Sequence, residues 1–288
     1  MEKPALHVHK RKTMHMSGLL LILPILAACN QGGQGNLPTH RPDTAVRTVG
    51  SIPLPEGYTR ICAAPGSYTA FLRRLPLKKD KTVYLFNGIK KGNQEAQYAV
   101  LDIDAGDRDL QQCADAVMRL RAEYLFRQKR PDEIKFRFHN GFTCDYSHYA
   151  AGYRLSFSGS RCSWSRQKPA DTSYATFRQY LDLVYSYAGT RSLHRQLRPL
   201  AFARIAPGAV LIQTRIPYGH AVTVMDMACS PSTGDTIYLL SQSYMPAQDI
   251  HILNNPGNGK LSPWYSVRAA DSIVTPEWTF SRRDLRSF

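Results

Sequence analysis

The chain reads as one α+β domain, helices first and an antiparallel sheet after. Two observations carry this. Apolar residues recur at helical spacing in two segments, through Leu110, Cys113, Val117, Leu120 and Tyr124 and through Phe177, Tyr180, Leu181, Val184 and Tyr187. The last third then holds short β-prone runs divided by turn residues.

The first element lies ahead of this domain. A basic opening, Lys10-Arg11-Lys12, precedes an apolar run from Ser17 to Pro24, and Leu26-Ala27-Ala28-Cys29 closes it. This is the pattern of a secretory signal, since the apolar run is about half the roughly 20 residues a membrane-spanning helix needs. A cysteine directly after Leu-Ala-Ala resembles a bacterial lipobox. That resemblance implies cleavage after residue 28, a lipid on Cys29, export across the inner membrane, and an envelope location, with the outer membrane expected. Residues 29–50, polar and rich in Gly and Pro, read as a tether from the lipid to a domain over 51–288.

Net charge is +15 over 288 residues. Loss of residues 1–28 removes four bases (Lys3, Lys10, Arg11, Lys12) and one acid (Glu2), leaving +12. Such a surface suits anionic partners such as phospholipid headgroups or cell-wall polymer. No helix-turn-helix, zinc-finger or aromatic RNA-binding motif is visible, so nucleic acid is set aside as a partner. No CxxC pair or His-x-x-x-His cluster suggests a metal, and no cofactor is implied.

Within the domain, Val83–Asn87 and Gln97–Ile103 alternate like strands around the turn signal Lys90-Lys91-Gly92-Asn93, which predicts a hairpin. Asp107 is the expected cap of the first helix. Ile134–Phe138, Tyr153–Phe157 and Arg161–Trp164 read as strands. Ser173 caps a second helix that stops at Gly189, and Thr190 caps a short third. Val210–Gln213, His220–Met227, Thr236–Ser243 and Asp249–Leu253 form the later sheet, with a hairpin turn at Pro231-Ser232-Thr233-Gly234-Asp235.

Beyond Cys29 the cysteines are Cys62, Cys113, Cys144, Cys162 and Cys229. Cys144 and Cys162 bracket a compact segment and are the expected disulfide. An odd number leaves at least one thiol unpaired in an oxidising compartment, which makes Cys113 a candidate nucleophile. A thiol needs an imidazole to hold its proton and a third group to orient that imidazole. Centring the hairpin at Ser232–Thr233 puts His220 opposite the region of Tyr244 and diagonal to Gln242. Alternation puts His220, Val222, Val224 and Asp226 on one face, with Asp226 about 20 Å from the imidazole and out of reach. The expected set is Cys113 as nucleophile, His220 as base and acid, and Gln242 as orienter, with Tyr244 and Gln248 as the alternative orienters. Tyr244, Gln248 and Asp249, on the polar stretch after the sheet strand, are expected to bind substrate. Cys113 also lies on the apolar face of its helix, so a buried structural cysteine is the competing expectation. Arg119, Arg121 and Glu123 read as a solvated, ion-paired helix face, with a substrate clamp as the other use. The aromatic residues Tyr146, Tyr153, Trp164, Tyr174, Trp264 and Trp278 suit core packing, with sugar stacking as the other use.

Two resemblances follow from these residues. Gln112-Cys113 opening a helix, Pro207-Gly208-Ala209-Val210 and Gly219-His220-Ala221-Val222 resemble the ordered motifs of CHAP and NlpC-type amidases. These cut amide bonds in cell-wall peptides on a papain-like fold. Ala209 stands where those families carry Asp, the Cys-to-His spacing is longer, and a cap at Asp107 would put Cys113 about two turns into its helix. Over nearly the whole mature chain there is a second resemblance, to an uncharacterised family of bacterial envelope lipoproteins. It rests on Cys113-Ala114-Asp115-Ala116, Arg119-Leu120-Arg121-Ala122-Glu123-Tyr124, Gly219-His220-Ala221-Val222, the string from Ser243 to His251, and Pro276-Glu277-Trp278-Thr279-Phe280. Together these imply a lipid-anchored envelope protein that acts as a cysteine amidase on cell-wall-type peptides. The alternative is a non-catalytic lipoprotein that binds cell-wall glycopeptide or another envelope component.

Overall fold

A computed structural model describes residues 47–288, so the expectations for the signal, the tether and lipid on Cys29 lie outside the described residues. The strands are β1 (Thr59–Arg60), β2 (Gln97–Val100), β3 (Lys135–Arg137), β4 (Thr143–Asp145), β5 (Tyr153–Ser158), β6 (Arg161–Arg166), β7 (Arg198–Pro199), β8 (Val210–Gln213), β9 (His220–Cys229), β10 (Thr236–Gln242), β11 (His251–Leu253), β12 (Tyr265–Ser266), β13 (Ser272–Val274), β14 (Thr279–Ser281) and β15 (Leu285–Ser287). The helices are α1 (Tyr68–Arg73), α2 (Cys113–Arg127), α3 (Tyr146–Ala150), α4 (Tyr174–Tyr187) and α5 (Thr190–Gln196).

A nine-stranded antiparallel sheet organises the chain in the order β2-β11-β10-β9-β8-β15-β7, with β1 also on β9 and β12 also on β10. β9 and β10 are its centre and both are buried along almost their whole length. One face carries Ala221, Met225, Ala228, Ile237, Leu239 and Ile252, which pack with Ala114, Val117 and Met118 of α2 and with Phe177, Leu181 and Val184 of α4. The other carries Val222, Val224, Met227, Tyr238, Leu240 and Leu253 under Ile273, Phe280 and Leu285. The molecule is thus a mixed α/β fold with a few helices laid on an antiparallel sheet. No described helix is long and apolar enough to cross a membrane.

Several local expectations change. The hairpin at 83–103 does not form. β2 pairs instead with β11, and the stretch from Val83 makes only isolated bridges, Tyr84 with Lys90 and Leu85 with Gln248. Pairing β2 with β11 at the edge of the sheet, where Gln97, Ala99 and Val100 are buried, outweighs the local turn preference of Lys90–Asn93. α2 begins at Cys113, not near Asp107. Its N-terminal signal is Gln112-x-x-Asp115, with the Asp115 carboxylate accepting the Gln112 backbone N–H at 3.1 Å. The upstream acid Asp109 is used otherwise, holding the Ala247 backbone N–H at 2.7 Å and the Gln112 side chain at 3.1 Å. α4 follows its expected cap, Ser173, whose side chain accepts from Thr176.

Asp226 leaves the face it was expected to share with His220. A bulge opposite Leu239/Leu240 resets the alternation, so Met227 packs with Val222 and Val224 while Ala228 packs with Ala221 and Met225. Fully buried on the helix side, Asp226 is held by Arg60 at 2.7 Å and Arg73 at 2.6 Å. Arg119 and Glu123 are not a solvated face either. Both are buried, paired at 2.7 Å, and joined by the Tyr174 hydroxyl. Cys144 and Cys162 are not bonded; all five described cysteines are free thiols. Trp264 and Tyr146 sit in the core as packing residues.

Candidate functional site

Cys113 is the first residue of α2, where the unpaired amides and positive end of the helix favour a thiolate. The helix start therefore removes the two-turn offset that a cap at Asp107 implied. Burial works the other way. It pushes the thiol up to about 11, with the neighbouring Asp115 charge adding to the rise. Burial also pushes Asp115 up to about 8, and one of its oxygens is buried without a partner. The sulfur lies 3.9 Å from the Thr190 hydroxyl at the start of α5, and the Ala221 backbone amide also faces it.

His220 opens β9 one residue before that amide. Gly219 precedes it for a steric reason: a Cβ there would lie 2.3 Å from the Gln213 carbonyl oxygen and 2.8 Å from the Thr190 methyl. The β9–β10 register pairs Ser241 with Thr223, which leaves Gln242 diagonal to His220. The His220 ring nitrogen Nε2 and Gln242 Oε1 are 2.8 Å apart. Around the ring stand Tyr244, Trp278 and Phe280, with centroids at 4.8, 5.4 and 5.8 Å. Burial in this cage pushes the imidazole down to about 4, against the opposing effects of the Gln242 bond and Glu277. Among the described residues, no hydrogen bond joins His220 to Cys113. Both groups therefore rest neutral, on adjoining segments of chain.

A cleft of about 500 Å³ opens over the sulfur, lined by Cys113, Asp115, Thr190, Arg191, Arg215 and Gly219 among others. The expected substrate-binding residues are placed differently. Tyr244 lies against His220 and is half-buried, and burial raises its hydroxyl. Gln248 is buried, donating to the Pro246 carbonyl at 3.0 Å. Asp249 is fixed by Lys78 at 2.8 Å and by the Tyr84 backbone N–H at 3.0 Å. None of the three lines the cleft.

Sequence reasoning missed the groups behind Gln242. Its Nε2 donates to Glu277 Oε2 at 2.6 Å and lies 3.3 Å from His251 Nε2. Glu277 accepts in turn from Lys91 at 2.6 Å and Asn93 at 3.2 Å. His251 is fully buried, which pushes it down to about 3, and its Nδ1 faces the Asp249 carbonyl at 2.9 Å. Glu277 lay within the string Pro276–Phe280, but only the fold shows what it meets. Thr190 was expected only as a helix cap, a place Gly189 takes while Thr190 is the first residue of α5, and the cleft arginines carried no sequence signal. Among the described residues no group of three or more His, Cys, Asp or Glu could hold a metal ion.

A mixed α/β fold with an antiparallel sheet, carrying a buried His220–Gln242 pair and a buried thiol at the start of α2, is the class this geometry defines. The chain belongs to the family described as Domain of unknown function (4846), which matches residues 49–287. Neither a curated protein nor a solved structure matches it.

Proposed function

We propose that this chain is a lipid-anchored envelope protein, papain-like in outline, that cleaves or transfers a peptide-type amide of the cell-wall kind. The observation that carries the reading is the 2.8 Å His220–Gln242 bond at the start of β9, one residue from the Ala221 amide that faces the Cys113 sulfur. Cys113 is the nucleophile, His220 the base and acid, and Gln242 the orienter. With thiol and imidazole both resting neutral, the imidazole takes the thiol proton as sulfur attacks the carbonyl carbon. It returns that proton to the leaving amine, and water then hydrolyses the thioester. The Cys113 backbone N–H, free at the helix start, suits the oxyanion. Lipid on Cys29, an outer-membrane location and a +12 mature charge would set the site beside anionic wall polymer.

A second reading is a non-catalytic lipoprotein that binds glycopeptide or another envelope component in the same cleft. Burial of the thiol and the missing sulfur–imidazole hydrogen bond favour it.

Labelling of Cys113 by a small electrophile across pH separates the two. Base assistance by His220 makes the rate flat above about pH 5, where the imidazole is neutral, and His220→Ala abolishes that plateau. A bare buried thiol instead labels about tenfold faster per pH unit up to about pH 11, and ignores His220→Ala. The second pattern rejects the hydrolase.

A further inference from the structure

The carboxamide of Gln242 can be turned either way, and the two orientations have opposite consequences for His220. With Oε1 toward His220, the ring must carry its proton on Nε2 and leave Nδ1 bare. Reversed, the amide NH₂ would meet the ring, and the proton would move to Nδ1.

The surroundings choose one orientation. Glu277 Oε2 lies 2.6 Å from Gln242 Nε2. A reversed amide would set its oxygen against that carboxylate oxygen, two acceptors at hydrogen-bond distance. The Lys91 ammonium sits on the same oxygen at 2.6 Å, and both side chains are largely buried. A second acceptor agrees. His251 Nδ1 faces the Asp249 carbonyl, which can only accept, so the His251 proton is on Nδ1 and its Nε2 offers a lone pair to Gln242 at 3.3 Å. Both amide hydrogens are then used, one on Glu277 and one on His251, and Oε1 is left for His220 at 2.8 Å.

We propose that Glu277, seated on Lys91, is a positioning residue that fixes the orientation of the Gln242 amide and thereby places the His220 proton on Nε2. Glu277 touches no reacting atom. It acts through Gln242, and its consequence is a bare Nδ1, the nitrogen a base toward Cys113 must use. That last step rests on the hydrolase reading, whereas the tautomer does not.

The test is nitrogen NMR of the full-length chain with ¹⁵N-labelled histidine at pH 7, with the His220 signals among the nine histidines identified by their loss in His220→Asn. In the unaltered protein His220 is protonated at Nε2 alone. Glu277→Gln keeps that tautomer, because its amide oxygen can still accept from Gln242. Lys91→Met with Glu277→Met removes the carboxylate and leaves no buried charge unpaired; only the longer 3.3 Å contact to His251 then holds the amide, and His220 shows a share of the Nδ1–H tautomer. The swap Lys91→Glu with Glu277→Lys keeps an ion pair but puts a donor against Gln242, and moves the proton to Nδ1. A proton on Nδ1 in the unaltered protein overturns the assignment, and so does an unchanged Nε2–H tautomer in whichever double variant folds. Cys113 labelling in the Met–Met variant falls in proportion to the share of molecules that lose a bare Nδ1, as read from the tautomer signals. If Cys113 of the unaltered protein labels like a free thiol, the hydrolase reading falls, and the tautomers still judge Glu277.

Discussion

His220 and His251 should make this fold sensitive to acid, and His220→Asn should reduce that sensitivity by a calculable amount. A free imidazole titrates near 6.5, and burial holds the His220 ring down to about 4. A folded-state value below the unfolded one means that the unfolded chain binds the proton first. Stability is therefore complete above about pH 6.5 and is lost as pH falls toward 4. Between pH 7.5 and 4.5 this costs about 2–3 kcal/mol for His220 alone. His251, held at about 3 by full burial, costs a similar amount. Urea unfolding at the two pH values, for the unaltered protein and for His220→Asn, reads this term, because titrating groups distant from residue 220 cancel in the difference of differences. The variant should lose about 2–3 kcal/mol less on acidification. A difference below about 0.5 kcal/mol would refute the reasoning, since it would mean that the folded imidazole titrates like a free one.

Two further outcomes follow from buried geometry. Gly219→Ala should destabilise the fold by about 2 kcal/mol in urea unfolding and slow Cys113 labelling, because the new Cβ must push the Gln213 carbonyl and Thr190 away from β9. Arg119→Met should cost about 3–5 kcal/mol by stranding Glu123 in the core, whereas Arg119→Met combined with Glu123→Met should recover most of the loss; equal costs for the single and double variants would show that the pair is not buried as described.

Much of the candidate site was legible because strand pairing is a local rule. A short turn between two β runs sets a register, and the register placed Gln242 beside His220 without reference to the rest of the fold. The same rule failed at Asp226, where a bulge shifted the alternation by one residue. Bulges answer to packing against α1 and β1, whose arginines draw Asp226 to their side. The helix start was misplaced for a related reason. Asp107, Asp109 and Asp115 all suit a helix N-terminus, and only tertiary contacts decided that Asp109 would hold Ala247 while Asp115 closed the cap.

By itself the amino-acid sequence determined the elements with strong periodicity: the two long helices, the central antiparallel strands, and the register that joins His220 to Gln242. Those depend on neighbours a few residues apart. The tertiary structure decided everything set by residues distant along the chain. It buried Gln248 and Asp249 away from the cleft, left Cys144 and Cys162 unbonded, and turned Arg119 and Glu123 inward. It also brought Lys91 and Glu277, separated by 186 positions, onto the back of Gln242. Burial and charge pairing are properties of the packed whole, and they set the protonation states on which any chemistry at Cys113 depends.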